Sequence, residues 1–193
     1  MTQSEGLLYA NVTMAGFGGQ GLMFIGKLLA YSAMKTGLNV TWIPSYGPEM
    51  RGGTANCTVV LSQREIGSPV ITSPQALIIM NNPSLDAFEG RLQSNGHLLI
   101  NSSLVTNEIT RGDIQVVRIP ANDVALEVGE KRTANMVMLG AYIGQTNVVT
   151  KPAIFEGLKE FFGKKMEFLD VNKKAFEAGM KYVGNEGSPQ LGS

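Results

Sequence analysis

Apolar runs and their interruptions divide this chain into short strands and longer helical stretches. Val12-Thr13-Met14-Ala15 is strand-like and stops at Gly16-Phe17-Gly18-Gly19-Gln20-Gly21, after which Leu22 to Thr36 predicts a helix closed by Gly37. Asn39 to Ile43 predicts a second strand, so the opening is a βαβ unit, and the right-handed crossover preference predicts two parallel, neighbouring strands. Pro44 to Gly53 contains two prolines and three glycines, which disfavour both a helix and a central strand and predict a shaped loop. Further strands are expected at Thr54 to Ser62, Gln75 to Met80, His97 to Asn101 and Gln115 to Ile119. Asn82-Pro83 opens a helix through about Leu92, and Pro120-Ala121-Asn122-Asp123 opens a short one to about Val128. Ala134 to Gly144 is almost wholly apolar and small, with Gly140 and Gly144 four apart, and is expected to be buried on all sides with another backbone close to it. Pro152 to Phe162 and Asn172 to Val183 place Ile154, Leu158, Phe161 and Phe176, Met180, Val183 on single stripes, the pattern of amphipathic covers. The pattern predicts an α/β chain: a Rossmann-like three-layer domain with a mostly parallel sheet, one domain over residues 1–183 and a flexible tail over 184–193.

Composition narrows the functional classes. The 193 residues carry 16 Lys and Arg against 16 Asp and Glu, so no broad field is available to hold nucleic acid or an anionic membrane. Charged residues make up 17% of the chain, below the roughly 25% usual for a soluble domain, which points either to a large core or to an outer surface partly hidden against another subunit. Leu22 to Thr36 has only Lys27 and Lys35 as charges, so the outside of this helix is also expected to be covered. The single Cys57 excludes an internal disulfide, and a chain with one cysteine cannot by itself hold an iron-sulfur cluster or a structural zinc. Met1 to Asn11 lacks a leader pattern and no apolar run approaches ~18 residues, so a soluble cytoplasmic protein is expected.

Gly16, Gly18 and Gly21 match G-x-G-x-x-G after a strand and before a helix, the context in which glycines permit a tight turn and the helix offers free N–H groups to a pyrophosphate. A dinucleotide site also needs an acidic residue about 20 positions on, at the end of the second strand. Thr41-Trp42-Ile43-Pro44-Ser45 stands there instead, and the first carboxylate is Glu49. A turn that packs against another chain is the competing reading. In the loop from Tyr46 to Gly53, Arg51 is able to pair with a carboxylate or phosphate and Glu49 to orient it, or the two form a surface pair. His97 and Cys57 are read as a satisfied core histidine and an inert buried thiol, and the ten Met residues as core filler. No triad, carboxylate pair or phosphate-binding Gly-Lys-Ser/Thr is present, so no catalytic residue is assigned.

Two motifs, Gly16-Phe17-Gly18-Gly19-Gln20-Gly21 and Ser45-Tyr46-Gly47-Pro48-Glu49-Met50-Arg51-Gly52-Gly53-Thr54-Ala55-Asn56-Cys57, joined to the stretch Ala134 to Tyr142, carry a resemblance. Over about residues 10 to 183 the chain resembles the gamma subunits of 2-oxoacid:ferredoxin oxidoreductases, the pyruvate/ketoisovalerate oxidoreductase domain family, most closely the 2-oxoglutarate type. The resemblance implies a complex that decarboxylates a 2-oxoacid on thiamine diphosphate with magnesium, passes electrons through iron-sulfur clusters to ferredoxin and transfers the acyl group to coenzyme A. It implies alpha and beta subunits that grip the thiamine and a small ferredoxin-like delta subunit, with no cofactor bound by this chain alone. On the resemblance, Gly16, Gly18, Gly19, Gln20, Gly21 and Arg51 lie on the interface or coenzyme A side, and Tyr46, Pro48, Glu49, Met50, Arg51 and Asn56 are interface groups. The alternatives from the residues themselves are a free-standing dinucleotide-binding protein and a homodimeric scaffold associating through the Leu22 to Thr36 helix.

Overall fold

In the strand Tyr9–Phe17 (β1), Val12 and Met14 turn to one face and Thr13 and Ala15 to the other, and residues 10–16 are all buried, as befits a strand in the middle of a sheet. The computed structural model describes residues 7–46, 54–163 and 165–185. Five further strands, β2 (Asn39–Tyr46), β3 (Thr54–Ser62), β4 (Ala76–Ile79), β5 (His97–Asn101) and β6 (Gln115–Ile119), join β1 in one sheet of order β2-β3-β1-β4-β5-β6. The pairs β1/β4, β4/β5 and β5/β6 are parallel, while β3 runs antiparallel to both β1 and β2.

The sheet is therefore mostly parallel, but β1 and β2 are not the neighbours that the crossover preference predicts: they point the same way with β3 inserted between them. The physical reason lies in the two sequences. Cys57, Val59, Val60 and Leu61 give β3 apolar groups buried on both faces, suiting it to the interior, whereas β2 contains Pro44, which lacks a ladder donor and is accommodated at an edge. For the same reason Pro44 to Tyr46, expected to open the loop, continue strand β2 instead, and residues 47–53 lie outside the described residues.

Among the described residues six α-helices cover the sheet: α1 (Leu22–Lys35), α2 (Asn82–Phe88), α3 (Ala121–Glu127), α4 (Ala134–Thr146), α5 (Lys151–Phe162) and α6 (Met166–Asn185). The larger core lies between α1, α4, α5 and α6 and the face bearing Val12, Met14, Cys57, Val59, Ile78 and Leu99. On the other face Leu77, Ile79, Leu98 and Ile100 pack beneath Leu85 of α2, Leu92 and Val105, which completes the three layers. α6 starts six residues before the predicted Asn172 because Leu169 extends the stripe of Phe176 and Val183 back by two turns, and it runs on through Gly184 into the expected tail. Residues 186–193 of that tail lie outside the described residues.

The first helix is covered by its own chain. Phe161 of α5 packs on Tyr31 and Phe24, with ring centroids 5.3 and 6.0 Å apart, and Gly157 lets α5 close on Ser32 and Leu28. The apolar α1 surface assigned at the sequence level to another molecule is thus mostly internal. α4 is buried from Ala134 to Ile143, as expected, and the backbone that approaches it belongs to α6. A Cβ on Gly140 would strike the Phe176 carbonyl oxygen, and one on Gly179 the Val137 carbonyl oxygen.

Cys57 is fully buried beside Trp42 and the Leu22 carbonyl, and burial pushes its thiol up to about 12, so it is the inert core group expected. His97 departs from expectation. It is half-buried at the start of β5, its Nδ1 has no hydrogen-bond partner, and burial lowers its pKa below 6.5. Because the folded state disfavours the protonated ring, the chain has its full stability above pH 6.5 and loses some as the pH falls below it. Urea titrations across pH 7 to 5 are expected to show this loss, and His97→Gln is expected to reduce its slope.

Candidate functional site: the glycine turn and the mouth of the β2–β3 hairpin

The strand order reverses between β1 and β4: β1 leads through α1 to one side, and β4 leads through α2, on the opposite face, to the other. This is the position at which open α/β sheets hold ligands beyond the carboxyl ends of their strands. The turn Gly16 to Gly21 occupies it. Gly19 and Gly21 adopt positive φ angles of 95° and 77°, so the turn is closed by left-handed backbone that a side chain would strain.

Gln20 fills the crevice. Its Oε1 accepts from the Phe17 N–H at 2.6 Å and its Nε2 donates to the Met80 carbonyl at 3.1 Å, while the Met80 N–H donates to the Ala15 carbonyl at 2.9 Å. Gly16 has room for this only because it lacks a Cβ, which would meet the Gln20 Oε1 and come within 2.9 Å of both Leu22 and Met80. The side-chain amide therefore fastens the ends of β1 and β4 together. Gln20→Ala is expected to cost about 1–3 kcal/mol in urea denaturation, since it strips the Phe17 donor and the Met80 acceptor of their partner.

Behind the turn, Asn135 at the start of α4 donates from Nδ2 to the Gly21 carbonyl at 3.1 Å, and a Cβ on Gly21 would meet that same nitrogen. Asn135 stood out in the sequence only as the polar member of an apolar helix; its burial at 6% exposure and this bond explain its presence. The α1 N-terminus follows directly, with Gly21 at the cap position, no side-chain cap bond and no acidic residue in the first turn. On the helical side of the turn, Gly21, Phe24, Thr133, Asn135, Phe162 and Phe168 help to line a cavity of about 310 Å³. Arg132 at its margin is held by Glu130 through bonds of 3.1 and 3.0 Å, and Arg132 in turn lowers the Glu130 carboxyl to about 2.

The hairpin opens on the same rim. Gly16 pairs with Ala55, which pairs with Tyr46, and Phe17 pairs with Thr54, so both ends of the motif loop meet the glycine turn. Asn56, half-buried on β3, lies between Ala15 and Ser45. Pro48, Glu49, Met50 and Arg51 lie outside the described residues. The structure thus brings together Gly16, Gly18, Gly19, Gln20, Gly21, Tyr46 and Asn56 at one end of the sheet.

Among the described residues this arrangement offers positioned backbone donors and a rigid rim, without a nucleophile held against a base. Among the described residues no group of three His, Cys, Asp or Glu is placed to hold a metal ion, and the buried, protonated Cys57 does not fit the role of a cluster ligand. With Gln20 across the crevice and no carboxylate on β2, the geometry also does not fit the ribose and pyrophosphate of a dinucleotide.

The sequence model of pyruvate ferredoxin/flavodoxin oxidoreductase matches residues 11–182, the entire span from β1 to the last turns of α6. The chain belongs to this family. It is similar to the ketoisovalerate oxidoreductase subunit VorA of Methanothermobacter thermautotrophicus, with 38% identity over 174 residues, 89% of this chain and 36% of the relative. It is also similar to the 2-oxoglutarate synthase subunit KorC of Methanothermobacter marburgensis, 36% identical over 179 residues, covering 89% of this chain and 95% of that one. The chain spans about a third of the VorA relatives and nearly the whole of KorC. Among solved structures, the gamma subunit of a keto/oxoacid ferredoxin oxidoreductase from Geobacter sulfurreducens has a TM-score of 0.79 at 30% identity, covering 91% of this chain and 99% of that chain.

Proposed function

We propose that this chain is the gamma-type component of a 2-oxoacid:ferredoxin oxidoreductase, contributing to the oxidative decarboxylation of a 2-oxoacid to an acyl-coenzyme A with electrons passed to ferredoxin. The observation that carries this reading is the family match over residues 11–182, reinforced by the near full-length similarity to KorC. That relative also favours 2-oxoglutarate as the substrate, with ketoisovalerate and pyruvate as the competitors named by other relatives. In this reading alpha and beta subunits hold thiamine diphosphate and magnesium, a ferredoxin-like delta subunit and other cysteine-rich parts hold the clusters, and the assembly works in the cytoplasm. Among the described residues no helix is long and apolar enough to cross a membrane.

The glycine turn and the motif loop then face partner subunits or the arriving coenzyme A. Gln20 and Asn135 keep that rim rigid, and Arg51 supplies a charged hook for a carboxylate or phosphate. The decisive test is co-expression with the remaining subunits from the same genome, followed by coenzyme A-dependent reduction of a viologen dye with 2-oxoglutarate, pyruvate and ketoisovalerate in parallel. Turnover that requires this chain and is fastest with 2-oxoglutarate is expected; equal turnover without the chain overturns the reading. Arg51→Ala is expected to lower assembly or coenzyme A-dependent turnover while leaving the chain folded, and a fully active Arg51→Ala complex removes the role given to Arg51. Calorimetric titration of the isolated chain with NAD(H) and FAD is expected to give no saturable heat, and saturable binding would restore the dinucleotide alternative.

A further inference from the structure

Charge is distributed unevenly between the halves of the chain. Among the described residues from Leu7 to Ser62 only Lys27 and Lys35 are charged, and both lie over aromatic rings on the helical side, Lys27 over Phe161 and Lys35 over Tyr31. The opposite face of β1, β2 and β3 consequently carries no charged side chain of its own at any position. Its upper part, next to the hairpin mouth, is formed by rows that the pairing register fixes: Ser45, Asn56 and Ala15; Ile43, Thr58 and Thr13; then Thr54 and Phe17. The Thr13 and Thr58 hydroxyls bond to each other at 2.9 Å, and Phe17 and Ile43 are each 38% exposed. α1 covers the other side of β2 and β3, and α2 packs over β4 and the adjacent part of β1, so this upper patch projects from the protein's own layers. β2 is moreover an edge strand with no charged residue along it, lacking the charges that commonly guard such edges, although Pro44 interrupts its outer ladder.

We propose that the patch of Phe17, Ile43, Ser45, Asn56 and Thr58 is the surface on which this domain docks against the polypeptide equivalent to the remaining two-thirds of its longer ketoisovalerate oxidoreductase relatives. Three observations select that occupant. The domain forms only 36% of those relatives, so in them it is covalently joined to more chain, whereas it makes up 95% of KorC. An uncharged mixture of aromatic, aliphatic, hydroxyl and amide groups fits the centre of a protein interface, where charges are depleted, and does not fit an anionic ligand. The patch is also continuous with the rim that receives both ends of the motif loop. This inference rests on the proposed subunit role and adds the location of its contact.

The test is co-expression of this chain with the polypeptide from the same genome that matches the remainder of those relatives, followed by affinity purification and sedimentation. Ile43→Glu and Thr58→Arg each place a charge in the patch and are expected to weaken association by about tenfold or more; the melting temperature of the isolated chain is expected to stay unchanged in Ile43→Glu and to fall slightly in Thr58→Arg, which breaks the hydroxyl bond to Thr13. Leu126→Glu, at a residue 60% exposed on α3 beyond β6, is expected to leave association intact. If the wild-type chains do not associate, the subunit reading itself fails. If they associate and Ile43→Glu and Thr58→Arg associate equally well, or Leu126→Glu disrupts as strongly, the assignment of this patch fails while the subunit reading stands. Self-association of the isolated chain that Ile43→Glu abolishes would assign the patch to a second copy and likewise overturn it.

Discussion

Gly140→Ala is expected to lower the melting temperature of the isolated chain by about 10 °C, corresponding to a loss of about 3–4 kcal/mol. The new Cβ would collide with the Phe176 carbonyl oxygen of α6, and backbone cannot turn aside as the end of a flexible side chain can. α4 and α6 would have to separate, opening voids around Tyr142 and Phe176, the two largest fully buried side chains among the described residues. The gain of about 1 kcal/mol in helix propensity offsets only part of this. Gly179→Ala, which meets the Val137 carbonyl from the other side of the same crossing, is expected to behave alike. Gly67→Ala is the control: nothing lies within 4 Å of its Cβ position, and its midpoint in thermal denaturation should not move.

Asn101→Ala is expected to cost about 2–3 kcal/mol in urea denaturation. Asn101 ends β5 with no exposed surface, and its Oδ1 accepts from the Ala121 N–H at 3.1 Å and the Ser103 N–H at 3.3 Å. Its Nδ2 donates to Asn122 Oδ1 at 2.8 Å. α3 begins after Pro120, which has no side chain able to cap it, so a residue nineteen positions before that proline supplies the acceptor instead. Ser103→Ala removes only a 3.3 Å bond to the Asn122 N–H and a partly exposed one to Asp123, and its effect should be smaller.

The parts of this fold visible in the sequence are those with a local physical cause. The short strand-like run from Val12 to Ala15 and the glycine turn mark β1 and the start of α1, and the small, apolar run from Ala134 marks a helix buried on every side, with Gly140 announcing a close neighbour. What could not be read depends on residues far apart in the chain. The insertion of β3 between β1 and β2 depends on comparing the burial needs of two whole strands, and the crossover preference carries no information about that choice. The cover of α1 by Phe161 and Gly157 comes from a helix more than a hundred residues away, so a shortage of charge pointed to a second molecule where the chain itself supplies the cover. His97 shows the limit of reading burial from an apolar strand: the pattern predicts a satisfied core histidine, whereas the ring is half-buried and its Nδ1 has no partner.

The candidate site divides in the same way. Its glycines, its motif loop and the missing carboxylate on the second strand are plain in the sequence. Gln20 occupies a position that the glycine pattern leaves free, so its bond to Met80, sixty residues on, left no local signature. The Asn135 bond to Gly21 spans 114 residues, and its only trace was an amide in a helix otherwise nearly without polar groups.

The antiparallel strand at the centre of the N-terminal half has a consequence for synthesis on the ribosome. Because β3 separates β1 from β2, a nascent chain ending near Tyr46 has made a strand, a helix and a second strand that share no ladder hydrogen bonds. Only when residues 54–62 emerge can one strand knit the other two together, and β1 still awaits β4 on its other side. The rim around the glycine turn therefore comes into being in stages: the ends of β2 and β3 join it once residue 62 is made, the Gln20 bond forms only when Met80 follows, and the Asn135 bond to Gly21 only when α4 is made.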